Sequence, residues 1–180
     1  MTATSATVNT PIGPFTLIVA PGPAGDDAVL ASGWTDDVGK LLPVVHPSLR
    51  PASIIHRADL GPFTAAVRDY HAGDVPAIDG IPVRQRSGPF LSHAWEVLRT
   101  IPAGSPVTYA EYAAKAGRPE AIRAAANACA RNAAALFVPC HRVRRTGGAP
   151  GGFRWGLDAK QWLLDHEGAA NLTGRPDRRA

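Results

Sequence analysis

Residues 108–130 read TYAEYAAKAGRPEAIRAAANACA, and the way this stretch folds decides the architecture around it. Thr108 and Glu111 stand at capping-box spacing, in which a threonine hydroxyl and a glutamate three residues on satisfy each other's backbone amides. The helix they open closes at Gly117. A very short turn follows, Pro119 suits a first helical turn, and Ile122, Ala125, Ala126 and Cys129 fall on one stripe that reads as the inward face. Two short helices across a tight glycine-containing turn make a helix-turn-helix candidate. The outer face of the second helix carries Arg123, Ala124 and Asn127, with almost no bulk. Such a helix cannot read base edges with long side chains, but it can approach a groove closely, which suits a protein that must bind any sequence. The competing reading is a plain alanine-rich core helix.

Upstream, SGPFLSHAWEVLRTIPAG (Ser87–Gly104) places Leu91, Ala94, Trp95, Leu98 and Ile101 at helical spacing, with Pro89 in a first turn and Pro102 and Gly104 as stops. Further back the chain is rich in proline and glycine. PFTLIVAPG and AVLASGWT are short β-branched and aromatic runs between turn residues and read as strands. GPFTAAVRDYHAG reads as a helix with Phe63, Val67 and Tyr70 on one face and Gly73 as its stop. VPAIDGIPV reads as an edge strand or linker, because its prolines cannot donate to a ladder. The expected organisation is α/β: a small sheet-plus-helix domain over 1–85, packed on a mostly helical domain with the helix-turn-helix over 86–170. A polar tail, 171–180, is expected to be disordered. There are no internal repeats and no low-complexity tract.

A chain of 180 residues with 45% hydrophobic and 19% charged residues can bury a sizeable core. No apolar run is long enough to span a bilayer. The start, MTATSATVNTPIG, has neither a basic n-region nor an apolar h-region. Two cysteines, Cys129 and Cys140, are too few for a disulfide framework, so reduced thiols and a cytoplasmic location are expected. The net charge of +4 is unevenly spread. Before residue 80 acids lead, with Asp26, Asp27, Asp36, Asp37, Asp59, Asp69, Asp74 and Asp79 outnumbering Lys40, Arg50, Arg57 and Arg68. Beyond it arginine dominates, including Arg118, Arg123, Arg131, Arg142, Arg144, Arg145 and Arg154. A basic second half suits a polyanionic partner. A genome that favours arginine on solvated faces accounts for the same asymmetry, and charge alone does not separate the two.

Chemistry concentrates in LFVPCHRVRR (Leu136–Arg145). Cys129 sits on an apolar helical stripe and reads as a small buried hydrophobe. Cys140 follows a proline, precedes His141 and is crowded by Arg142, Arg144 and Arg145. Positive neighbours favour the thiolate, the reactive form. Adjacent residues on an extended chain point to opposite sides, so His141 is expected to reach Cys140 through a water or a bend. In LDAKQWLLDHEG, Glu167 shares a face with Leu163 and Leu164, which draws its carboxylate toward the core. A carboxylate that orients a histidine, which activates a nucleophile, is general triad logic.

VPCHRV, with NACARNAAALF before it and GGFRWGLDAKQWLLDHEG after it, resembles the O6-alkylguanine-DNA alkyltransferase family over about Phe90–Gly168. TPIGPFTL resembles the start of that family's N-terminal domain more weakly. The resemblance implies that Cys140 is the alkyl acceptor, with His141 and Glu167 as the relay that activates it. It implies that Tyr109 sits against an extruded base and helps deliver a proton, and that Arg123 enters the base stack in place of the flipped nucleotide. The small helix enters the minor groove, with Arg118, Ala124 and Asn127 as further DNA contacts. Asn132 braces the turn into the active-site loop. Val138, Pro139, Val143, Phe153, Arg154 and Trp155 support the site or wall the alkyl pocket. The implied partner is double-stranded DNA carrying O6-alkylguanine, met by a monomer, with no membrane, no cofactor and no metal, since the N-terminal half has no cysteine to hold zinc. The implied reaction is an irreversible, single-turnover alkyl transfer that repairs DNA.

Phe153 stands where many relatives have tyrosine, Trp155 where some have glycine, and RNAAALF lacks the proline often found after the asparagine. The Trp155 indole is therefore expected to narrow the pocket, giving fast methyl and poor benzyl transfer, unless it points away and packs the domain interface. Two rival functions remain open: a binding-only alkyltransferase-like damage sensor, and a thiol hydrolase using Cys140 and His141. The hydrolase would need an oxyanion hole and leaves Arg123 and the alanine helix unexplained.

Overall fold

Alternation along Phe15–Ala20 sends Phe15, Leu17 and Val19 to one face of a sheet and Ile18 and Ala20 to the other, and both faces are buried. The computed structural model describes residues 1–149 and 151–168. The sheet has four strands: β1 (Thr2–Thr10), β2 (Gly13–Ala20), β3 (Ala28–Gly33) and β4 (Ser53–His56), in the order β3-β2-β1-β4. β1 pairs antiparallel with β2 and parallel with β4. Helix α1 (Pro62–His71) packs under the first face with Phe63, Val67 and Tyr70 buried, as its pattern predicts. Short 3-10 turns between Val38 and Leu49 cover the other face, where Leu41 and Val45 join Ile18, Leu30 and Ala31.

The second half supplies α2 (Pro89–Leu98), β5 (Val107–Thr108), α3 (Tyr109–Lys115), α4 (Ile122–Ala130), β6 (Val143–Arg144) and α5 (Leu157–His166). The capping box at α3 is present in full: the Glu111 amide donates to Thr108 Oγ1 at 3.1 Å and the Thr108 amide to Glu111 Oε2 at 2.8 Å. Gly117, at φ +86°, ends the helix in a Schellman motif, with Arg118 N–H on the Ala113 carbonyl and Gly117 N–H on that of Ala114. Trp95 Nε1–H donates to the Ala128 carbonyl and the Tyr112 hydroxyl to that of Ala94, which ties α2, α3 and α4 together.

Several expectations change. The stretches TATSATVNT and SIIH form β1 and β4, which the hydrophobic pattern does not announce. Residues Val75–Ile78 form a 3-10 turn, and only Val83 reaches the sheet, through one parallel bridge to Val29. The Pro82 carbonyl accepts there, which needs no N–H of its own. Pro119 lies outside α4, in a turn closed by Ala121 N–H on the Arg118 carbonyl. The buried stripe of α4 is Ala125 and Ala128; Ile122 is 44% exposed, and Ala126 and Cys129 are half-buried. One hydrophobic cluster joins Phe15 and Val67 to Trp95, Tyr112, Phe137 and Leu163, so the core is continuous across the expected boundary near residue 85. The expected tail lies outside the described residues. No described helix is long and apolar enough to cross a membrane.

Candidate active site

The chain leaves α4 at Arg131 and turns sharply toward Cys140. Asn132 holds that turn: its Nδ2 donates to the Val138 carbonyl at 2.7 Å and its Oδ1 accepts from Ala134 N–H and from Gln85 Nε2. Gln85 Oε1 accepts from Ala133 N–H, so the linker before α2 clamps the same turn. Inside it Leu136 takes a left-handed conformation at φ +76° while fully buried, a strained backbone that the surrounding bonds fix in place. Val138 and Pro139 are buried behind the site rather than walling it, and Val143 is buried in β6 opposite Val107.

Cys140 opens a single 3-10 turn, Cys140–Arg142. Three residues per turn set successive side chains about 120° apart, so Cys140 and His141 serve different neighbours. His141 is fully buried, and its Nε2 lies 2.8 Å from Glu167 Oε1. The carboxylate also takes Arg142 in bidentate fashion, Nε to Oε2 at 3.0 Å and Nη2 to Oε1 at 2.9 Å, and the Tyr70 hydroxyl donates to Oε1 at 2.8 Å. Burial alone would raise Glu167, but His141 and Arg142 outweigh it and hold the carboxyl well below the usual range. An ionised Glu167 only accepts, so Nε2 carries a hydrogen, and the ring in its neutral form then accepts at Nδ1. Nδ1 is buried and has no hydrogen-bond partner among the described residues.

Cys140 forms part of the lining of a cavity of about 420 Å³, a size that suits one small organic group or base. Tyr109, Asn132, Phe153, Arg154 and Trp155 line it too. The wall from α4, made by Ala126, Cys129 and Ala130, was missed because small residues carry no chemical signal. Burial pushes the Cys140 thiol up; a hydrogen bond from Asn132 and the charges of Lys160 and Arg154 pull the other way. Of the adjacent arginines, Arg142 is spent on Glu167 and on the Ile101 carbonyl. Lys160, also missed, is fully buried, with Nζ on the Val143 carbonyl at 2.7 Å and the Gly152 carbonyl at 3.3 Å. Tyr109 is pushed up to about 12, by burial first and then by the two cysteines, so its phenol stays a donor at neutral pH.

On α4, Arg123 and Asn127 are exposed and Ala124 half-buried, all outside the cavity. The Arg118 guanidinium lies 5.1 Å above the Phe90 ring. Arg154 also borders a second cleft with Arg50, Arg86 and Arg131. Among the described residues no cluster of histidine, cysteine and carboxylate side chains could hold a metal.

Residues 89–169 match the family model described as 6-O-methylguanine DNA methyltransferase, DNA binding domain. A methylated-DNA–protein-cysteine methyltransferase of Mycobacterium bovis is 33% identical over 164 residues, covering 89% of this chain and 90% of that protein. One from Shigella flexneri is 40% identical over 108 residues, 60% of this chain, which spans 63% of the relative's length. The crystal structure of Mycobacterium tuberculosis OGT in complex with DNA superposes with a TM-score of 0.71 at 26% identity, over 94% of this chain and 98% of that one.

Proposed function

Since the chain belongs to the 6-O-methylguanine DNA methyltransferase family, we propose that it repairs DNA by moving an alkyl group from O6 of guanine to Cys140. The observation that carries this reading is the pairing of a buried thiol at a nucleobase-sized cavity with the His141–Glu167–Arg142 cluster. The S–C bond forms as the O6–C bond breaks. The thiol proton leaves toward His141 Nδ1 through a water, and guanine gains one from the Tyr109 phenol, so the base departs neutral. Glu167 holds the imidazole in the tautomer that can accept and stabilises the imidazolium that results.

The base must leave the duplex to reach Cys140. Arg123 fills the gap it leaves, and the small outer face of α4 lies in the minor groove, with Asn127 and Arg118 at its flanks. The resulting thioether has no leaving group that the site could expel, so each chain reacts once. No cofactor enters the scheme. Mass spectrometry of the intact chain after mixing with an O6-methylguanine duplex tests it: one methyl per chain, on the peptide that holds Cys140, is expected. Continued turnover without an adduct, or no transfer, would overturn it.

A further inference from the structure

The lining of the cavity comes from the second half, but the first half backs it. Three consecutive residues where β3 ends touch that lining. Ser32 N–H donates to the Ala133 carbonyl at 2.9 Å, and Ser32 Oγ to that of Ala135, a lining residue, at 2.7 Å. The Trp34 ring packs on Phe153, another lining residue, with centroids 6.1 Å apart. Between them Gly33 is buried against the indole of Trp155. A Cβ on Gly33 would overlap Cζ2 and Cε2 of that indole and lie 2.6 Å from Cη2, against about 3.5–4.0 Å for a carbon–carbon contact.

Resting on the alkyl-transfer reading, we propose that Gly33 is a specificity-determining position: it seats the Trp155 indole, and through it the N-terminal sheet sets the size of alkyl group that the pocket accepts. Gly33 is not in the left-handed region, so alanine suits its backbone, and nothing but the indole lies nearest the added methyl. The strand cannot retreat, because Ser32 is bonded to the turn that leads to Cys140 and Gly33 pairs with Thr16 in the sheet. The ring must move instead. Trp155 packs against the buried cluster that includes Ile18, Leu30, Ala31 and Ala133, while the cavity it also lines offers open volume. An added methyl therefore drives the indole toward the cavity and narrows it. Both earlier readings of Trp155 are then true together: it packs the interface, and because it does, it gates the pocket.

The test measures second-order transfer from duplexes carrying O6-methyl-, O6-ethyl- or O6-propylguanine to four full-length chains: native, Gly33→Ala, Trp155→Gly and the double variant. In Gly33→Ala, methyl transfer should stay within about twofold of native while propyl transfer falls about tenfold or more, the scale on which a pocket rejects an extra methylene. In the Trp155→Gly background, Gly33→Ala should change no rate by more than about twofold, because the ring it displaces is gone. Equal slowing on all three substrates, or an effect that persists without the indole, would overturn the inference. If Gly33→Ala does not fold, judged by circular dichroism, the double variant must fold and react like Trp155→Gly; a double variant that stays unfolded overturns it too. No transfer from any substrate by the native chain is a different result, and it overturns the alkyl-transfer reading together with this one.

Discussion

Burial that raises the Cys140 thiol works against the chemistry proposed for it, since the thiolate is the nucleophile. Three devices answer this. The Asn132 amide bonds toward the sulfur, and Lys160 and Arg154 supply positive charge. His141 Nδ1 is left as the acceptor by the Glu167 bond to Nε2. Ionisation is thus reserved for the moment a proton can be taken. Because these devices act on the sulfur and not on the outer face of α4, chemistry and binding separate. Cys140→Ser should abolish alkyl transfer yet keep duplex affinity within about twofold of native in a fluorescence titration, as the phosphate contacts are untouched. Loss of duplex binding in a folded Cys140→Ser chain would make the thiol structural.

At the level of elements, α3 and α4 divide the work. The capping box fixes where α3 starts and therefore where Tyr109, its first residue, stands at the cavity. Thr108→Ala should cost about 1 kcal/mol in urea unfolding, the usual loss for a helix cap. The exposed α4 face carries Arg123, so Arg123→Ala should slow transfer from a duplex far more than transfer from free O6-methylguanine base, which needs no extrusion. Duplex affinity should also fall with added salt. Equal slowing on duplex and base would move Arg123 out of the stack. These helices were legible because caps, glycine stops and 3.6-residue periodicity are local signals. β1 was not, because Thr2–Thr10 pairs alanine and threonine with a hairpin partner and owes its burial to that partner. The start of α4 was misplaced because Gly117 and the turn after it use up Pro119 before a helix can begin.

Across the whole molecule, Cys140, His141 and Glu167 were readable from one motif and one helix. Tyr70, Gln85 and Lys160 were not, because each is a polar group from a distant element whose reason for being there is a partner that only the fold brings near. Tyr70 shows the consequence. It lies on α1, 97 residues before Glu167, and is fully buried with its hydroxyl on Oε1, so the carboxylate that orients His141 also joins the two halves of the chain. Glu167 titrates in the folded chain well below its ordinary 4.5. Its stabilising contribution is therefore complete above about pH 4.5 and is lost as the pH falls from there toward the folded value. Glu167→Gln removes the only carboxylate bonded to the buried Arg142 side chain among the described ion pairs, and should cost about 3 kcal/mol at pH 7. Since that contribution fades with acid in the native chain, the gap in stability between native and Glu167→Gln should stay constant from pH 7 to about pH 4.5 and shrink steadily from there to pH ~3, the variant having the flatter curve. Tyr70→Phe should cost about 1.5 kcal/mol at pH 7, as for a hydrogen bond to a charged group, and much less in the Glu167→Gln background. Urea unfolding of the four chains across this range decides it: parallel curves, or additive losses for the two substitutions, would show that Tyr70 and Glu167 do not act as one tie between the two halves of the chain.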